Sequence, residues 1–175
     1  MKVINIFAGP SSGKSTTAAG VYHKLKTLDI NVEYVSEYAK DLIYENRHGR
    51  LNDYLYVLAE QHHRLYRLKD QVDYVICDGS FLFGYIHCSK KGIYNKKLFQ
   101  QFVLDIFNQY DNTNYFLSRQ KLLYQTIGRK ESLKEAISLD KKLIRLFEKE
   151  DIQYQTLSTQ KALKHIVKQI LKEAI

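Results

Sequence analysis

The strand-forming run Lys2–Phe7 passes almost directly into Gly9-Pro10-Ser11-Ser12-Gly13-Lys14-Ser15-Thr16, and a helical pattern opens near Lys14. A strand, a glycine-bracketed turn and a helix in that succession leave few folds open, because the turn gathers backbone amides and a helix N-terminus at one point. We read residues 9–16 as a phosphate-binding loop of the glycine, four residues, Gly-Lys-Ser type. Glycines let the backbone wrap phosphates closely, while successive N–H groups and the helix N-terminus stabilise their charge. Lys14 is expected to reach the β and γ oxygens, and Ser15 to offer its hydroxyl to magnesium. Thr16 and Thr17 read as helix-lining residues.

The same succession recurs along the chain. Asn31–Ser36, Tyr74–Cys77, Asn114–Leu117 and Tyr154–Leu157 are short β-rich runs, each followed by a longer periodic segment. That alternation predicts an α/β fold, a parallel sheet with helices on both faces. With one proline and eight glycines there is no linker, repeat or low-complexity tract, so residues 1–175 are expected to form a single domain. Three stripes at helical spacing are expected to face the sheet: Leu51, Leu55, Leu58, His62, Leu65 and Leu68; Leu133, Ala136, Ile137, Leu143, Ile144 and Phe147; and Leu163, Ile166, Val167, Ile170, Leu171 and Ala174. Asp140 falls on the second stripe, where a carboxylate is unexpected.

Composition bounds the setting of such a fold. The apolar runs are too short to span a bilayer, and no apolar leader follows Lys2, so a cytoplasmic protein with no membrane partner is expected. Cys77 and Cys88 form neither a disulfide framework nor a metal cluster. The net charge of +8 and pI near 9.3 favour anionic partners. Nucleic acid is permitted by that charge without being indicated, because Lys134, Lys141, Lys142, Lys149, Lys168 and Lys172 sit in helical patterns among glutamates.

In a parallel sheet, ligands gather outside the carboxyl ends of the strands. Asp73-Tyr74-Val75-Ile76-Cys77-Asp78 is a buried strand ending in aspartate, the pattern of a magnesium-binding Walker B carboxylate; a helix cap before Gly79-Ser80 is the other reading of Asp78. Gly79 stands where motor-type ATPases of the AAA class usually carry a catalytic glutamate, which favours transfer to a bound acceptor over hydrolysis. Glu37, after the strand Val32–Ser36, is expected to accept a proton from an acceptor hydroxyl or to hydrogen-bond a ribose; the alternative is a carboxylate favoured by the helix dipole. Arg119 and Arg129 bound a basic stretch, about 119–130, expected to act as a lid that neutralises phosphoryl charge and excludes water. Asp140 either orients one of those arginines or marks an exposed stripe edge. His62 and His63 lack the spacing for joint metal ligation. His62 reads as a core-edge histidine, while Tyr38, Gln61, His63, Arg64 and Arg67 are candidates for contacting the acceptor. Ser158-Thr159 is a candidate adenine-side contact.

Together, the loop, Ser36-Glu37-Tyr38-Ala39-Lys40, Gln61-His62-His63-Arg64, Tyr74–Asp78 and the Arg119–Arg129 stretch resemble single-domain P-loop ATPase/kinase-like proteins often encoded by bacteriophages. These in turn are similar to the nicotinamide riboside kinase domain of the bacterial NAD regulator. The resemblance implies a nucleoside-kinase-like P-loop NTPase fold, five parallel strands in the order 2-3-1-4-5, a magnesium–ATP site and an arginine lid. If the protein is phage-encoded, its compartment is the host cytoplasm. The activity expected is Mg2+-dependent transfer of the γ-phosphoryl group of ATP to a nucleoside-like acceptor, by Lys14, Glu37, Arg119 and Arg129, with the metal on Ser15 and Asp78. A nucleoside monophosphate kinase, a polynucleotide 5′-kinase, and a slowly turning nucleotide-dependent binding module remain alternatives.

Overall fold

The structure is a computed structural model that describes residues 1–88, 95–119 and 132–174. Its elements in chain order are β1 (Lys2–Phe7), α1 (Lys14–Lys26), β2 (Val32–Val35), α2 (Tyr38–Tyr44), α3 (His48–Leu51), α4 (Tyr54–Tyr66), β3 (Tyr74–Cys77), α5 (Leu82–His87), α6 (Lys96–Asn108), β4 (Asp111–Ser118), α7 (Leu133–Lys149), β5 (Gln155–Ser158) and α8 (Thr159–Glu173). The strands form one parallel sheet in the order β2-β3-β1-β4-β5, as expected. The central strand β1 is paired on both edges, to β3 and to β4. The chain moves to one side of β1 for β2 and β3 and to the other for β4 and β5. The loop after β1 therefore opens at the switch in strand order, the place where such sheets hold ligands.

Alternation along the strands divides the core in two. Val3, Phe7, Val35, Val75, Cys77 and Phe116 pack with the buried residues of α4–α7. Ile4, Ile6, Ala8, Val32, Ile76, Tyr115 and Leu117 pack with α1 and α8. Cys77 and Cys88 are both buried, and neither forms a disulfide. Strand β4 begins earlier than its apolar residues suggest because its asparagines find partners. Asn5 Nδ2 donates to Asn112 Oδ1 at 2.8 Å and to Asn114 Oδ1 at 3.0 Å, while Asn114 donates to Gln153 O at 3.0 Å. A buried polar side chain satisfied in this way no longer opposes a strand.

The expected helical stripes are displaced in places. On α7, Leu133 and Ile137 are exposed, and Leu139 and Leu146 are buried with Ala136, Leu143 and Phe147. Ser132 caps this helix in a capping box with Glu135, which sets its start one turn before Ala136. The first stripe is split between α3 and α4; Leu55 is exposed, and Gln61 is buried beside Leu58 and Leu65. Leu163 of α8 and Ala174, which caps its C-terminus, are also exposed. No helix among the described residues is long and apolar enough to cross a membrane.

His62 is half-buried among Tyr66, Phe81 and Tyr110, with ring centroids 5.5, 5.9 and 6.3 Å away. Burial, aided by the charge of His63, holds its pKa below the ordinary 6.5. The unfolded chain therefore binds this proton more readily than the folded one. Its contribution to stability falls as pH drops through the unfolded value toward the lower folded one. Thermal melts between about pH 7.5 and about pH 5.5 are expected to lose less stability in His62→Gln than in the unsubstituted protein. Identical slopes would refute this role.

Candidate active site

The loop between β1 and α1 carries its left-handed backbone at Ser11, φ 58°, and Gly13, φ 82°. Its spacing is not the expected one. Three residues separate Gly9 from Gly13, and the position five before Gly13 is Ala8. Ala8 is buried and lies outside the left-handed region, so a methyl group is accommodated there. Gly9 is required for a different reason, the close approach of α7. A Cβ on Gly9 would lie 2.5 Å from Ala136 O and 2.9 Å from both Arg119 Nη2 and Asp140 Oδ1.

Asp140 ties α7 to this loop. Its Oδ1 accepts from Gly9 N at 2.5 Å and its Oδ2 from Arg119 Nε at 2.9 Å, while Arg119 Nη1 donates to Pro10 O at 2.9 Å. Arg119 is thus pinned to the base of the loop rather than carried on a lid. Its Nη2 is buried without a hydrogen-bond partner among the described residues. Arg129 and the rest of the expected lid lie outside the described residues. On the other side of the loop, Thr159 Oγ1 donates to Ser12 O at 3.2 Å, which brings the β5–α8 junction to the phosphate-binding segment.

Lys14 is buried, with its Nζ 3.3 Å from Glu37 Oε2, 3.4 Å from Asp78 Oδ1 and 5.4 Å from the centre of the Phe83 ring. The second oxygen of Asp78 accepts from Tyr34 OH at 3.3 Å. Burial of Asp78 works to raise its pKa. The Lys14 ammonium, a hydrogen bond from Ser15 and the more distant Lys40 outweigh that, and hold the carboxyl below its ordinary value. Burial and the Asp78 charge push the Tyr34 hydroxyl upward, so it remains a donor.

An ionised carboxylate hydrogen-bonded to a serine hydroxyl at the start of α1 is a hard-oxygen pair suited to magnesium. Among the described residues no group of three His, Cys, Asp or Glu is placed to hold a metal. Two protein oxygens suit an ion that takes its remaining ligands from water and phosphate.

Glu37 occupies the N-cap position of α2, yet its side chain makes no capping bond. Gln61 performs that task. Its Oε1 accepts from Tyr38 N at 2.8 Å and its Nε2 donates to Ser36 O at 3.2 Å. Arg64 donates to Ser36 Oγ at 2.8 Å, pairs with Asp41, and stacks 4.8 Å from the Tyr38 ring centre. Tyr38 and Tyr56 share a hydroxyl hydrogen bond of 2.7 Å. Gln61, Arg64 and Tyr38, expected as acceptor contacts, therefore brace the turn that presents Glu37; His63 and Arg67 are exposed.

Between Glu37 and the loop lies a cleft of about 240 Å³, walled by Ile43, Leu51, Val57, Phe83 and Leu139, with Lys14, Glu37, Lys40, Asn52, Tyr54 and His87 as polar lining. The wall residues escaped the sequence reading because each reads equally well as core. Lys40 was legible only as a member of the Glu37–Lys40 element.

Gly79 completes the site by what it lacks. A Cβ there would lie 2.5 Å from Glu37 Cα and 2.8 Å from Glu37 Cβ. The space after Asp78 is filled by Glu37, so a side chain at position 79 has no room. Gly79→Ala is expected to cost about 1–3 kcal/mol. It should also displace Glu37, leaving nucleotide binding less impaired than turnover; equal effects on both in titrations and initial rates would contradict this placement.

A protein-family model described as an AAA domain matches residues 3–162. Comparison with functionally curated proteins returns no match. Among solved structures, deoxyadenosine kinase from M. mycoides with products dCMP and a flexible dCDP bound is similar, with a TM-score of 0.60 at 17% identity over 98% of this chain and 100% of that one. The same enzyme with bound dATP gives 0.50 at 18% identity over 99% of each chain. APS kinase from Mycobacterium tuberculosis, in complex with AMPPNP and APS, gives 0.48 at 13% identity over 98% of this chain and 95% of that one. For the deoxyadenosine kinase structures, at these identities, the likeness is one of fold.

Proposed function

The chain belongs to the AAA-domain family, and from that premise we propose that it is a P-loop kinase that transfers the γ-phosphoryl group of ATP to the hydroxyl of a small nucleoside-like acceptor. Membership of that family fits hydrolysis as well as transfer. The observation that carries transfer is the pairing of the Glu37 carboxylate with Lys14 across a closed-in cleft, while Gln61 relieves Glu37 of capping α2. A cleft of about 240 Å³ suits a small molecule better than a polymer.

In this reading, backbone amides from Ser11 to Thr16 hold the phosphates, and Lys14 leaves its carboxylates to follow the γ-phosphoryl group. Magnesium, held by Ser15 and Asp78, would neutralise charge on the β and γ oxygens. Glu37 orients the acceptor hydroxyl and takes its proton as the new phosphorus–oxygen bond forms and the bond to the β-phosphate oxygen breaks. Arg119 keeps the loop in place, and Arg129 is the remaining candidate for neutralising phosphoryl charge. Tyr34 fixes the orientation of Asp78. Thr159, beside the loop at Ser12 O, is the candidate for an adenine-side contact.

The test is a γ-labelled ATP assay against nucleosides, nicotinamide riboside, nucleoside monophosphates and oligonucleotides with 5′-hydroxyl ends. Labelled product from a nucleoside-like acceptor is expected. Label appearing only as free phosphate, whatever the acceptor, would overturn the proposal, and transfer to oligonucleotide ends alone would make it a polynucleotide kinase.

A further inference from the structure

Lys40 is a cation at the acceptor cleft with no side-chain ion pair among the described residues, and the more distant carboxylate it acts on, Asp78, already pairs with Lys14. Lys40 lies three residues after Glu37, about one helical turn along α2, and both side chains line the same space. Every carboxylate beside it in the chain is already committed. Glu37 pairs with Lys14, and Asp41 pairs with Arg64. Lys40 is half-buried; its backbone N–H donates to Glu37 O at 3.3 Å, and among the described residues its side chain makes neither a hydrogen bond nor an ion pair. Its surroundings in the cleft include the aliphatic Ile43, Leu51 and Val57, which cannot compensate an ammonium group. A neutral nucleoside bound here would cover Lys40 and leave it unpaired.

Glu37 constrains where the compensating charge can sit. An acceptor whose attacked group is itself a phosphate would bring that charge against the Glu37 carboxylate, a like-charge contact. A hydroxyl at Glu37 and an anion about one helical turn away satisfy both side chains. We propose that the acceptor is a nucleoside-like hydroxyl compound carrying a separate anionic group, a phosphate or a carboxylate, and that Lys40 binds that group. The inference rests on the transfer reading above. The acceptor's hydroxyl oxygen takes the γ-phosphoryl group, its proton passes to Glu37 and then to solvent, ADP leaves, and the anionic group is unchanged.

Calorimetric titration with Mg2+ and a non-hydrolysable ATP analogue tests this without requiring turnover. The ligands are matched sets: adenosine against its 3′- and 5′-monophosphates for the phosphate, and nicotinamide riboside against nicotinic acid riboside for the carboxylate. In at least one set, the member bearing the added phosphate or carboxylate is expected to bind about tenfold or more tighter than its partner lacking that group, as a charge-assisted contact would give. Lys40→Gln should erase that preference and Lys40→Arg should keep it, with thermal midpoints changed little because Lys40 makes no side-chain hydrogen bond or ion pair among the described residues and is only a distant charge to Asp78. Which set shows the preference identifies phosphate or carboxylate. Equal binding within both sets, a preference that survives Lys40→Gln, or no binding in either set would overturn the inference. Selective binding with no labelled product would uphold the Lys40 site while removing the transfer reading; transfer to members lacking that group without selectivity would do the reverse.

Discussion

Asp140→Ala is expected to destabilise the folded protein by about 3 kcal/mol or more and to weaken nucleotide binding at least about tenfold, although residue 140 lies far along the chain from the phosphate-binding loop. Asp140 and Arg119 have side chains only 13% and 16% exposed, so removing the carboxylate strands a guanidinium in a poorly solvated site. It also leaves Gly9 N–H without its acceptor. Both losses fall on the first two residues of the loop, since Arg119 also holds Pro10 O. Asp140→Asn keeps a neutral acceptor for Gly9 and should show a smaller loss of both quantities. Urea denaturation and nucleotide titration measure the two effects. A stability change below about 0.5 kcal/mol, the level of an ordinary surface substitution, would show that the clamp does not hold the loop.

Glu37→Gln is expected to lower acceptor-dependent turnover by about 10²–10⁴-fold while ATP affinity changes only a few-fold. The amide keeps the shape of the side chain and can still accept a hydrogen bond, but it cannot take a proton. Because Gln61 caps α2, the substitution leaves the turn intact, and thermal melts should be close to those of the unsubstituted protein. Initial rates over a range of acceptor concentrations separate this loss from weakened binding. Turnover retained within a few-fold would remove Glu37 from the chemistry.

Much of the fold was legible because strands at this position in a parallel sheet are buried on both faces and read as apolar runs. Lys2–Phe7 and Tyr74–Cys77 appear in the structure with the bounds read from the sequence. The start of β4 was hidden because Asn112 and Asn114 look like turn residues until Asn5 is placed opposite them. The exposure of Leu133 and Ile137 was hidden because a helix with apolar residues on more than one stripe does not declare which stripe meets the sheet. At the site, Lys14, Ser15, Asp78 and Glu37 were readable from strand ends and loop chemistry. The bracing by Gln61 and Arg64 was not, because it depends on a turn of β2–α2 meeting the side of α4. Asp140 declared itself as a carboxylate on an inward stripe; its partner Gly9, 131 positions away, needed the structure.

The central claim is that the phosphoryl group leaves ATP for a bound acceptor rather than for water, and turnover in ¹⁸O-labelled water measures that choice directly. With Mg2+, ATP and the preferred acceptor, mass spectrometry should find the phosphoryl group on the acceptor and free of ¹⁸O, with its formation abolished in Lys14→Ala. Inorganic phosphate carrying one ¹⁸O per turnover, released at the same rate with and without any acceptor, would contradict it.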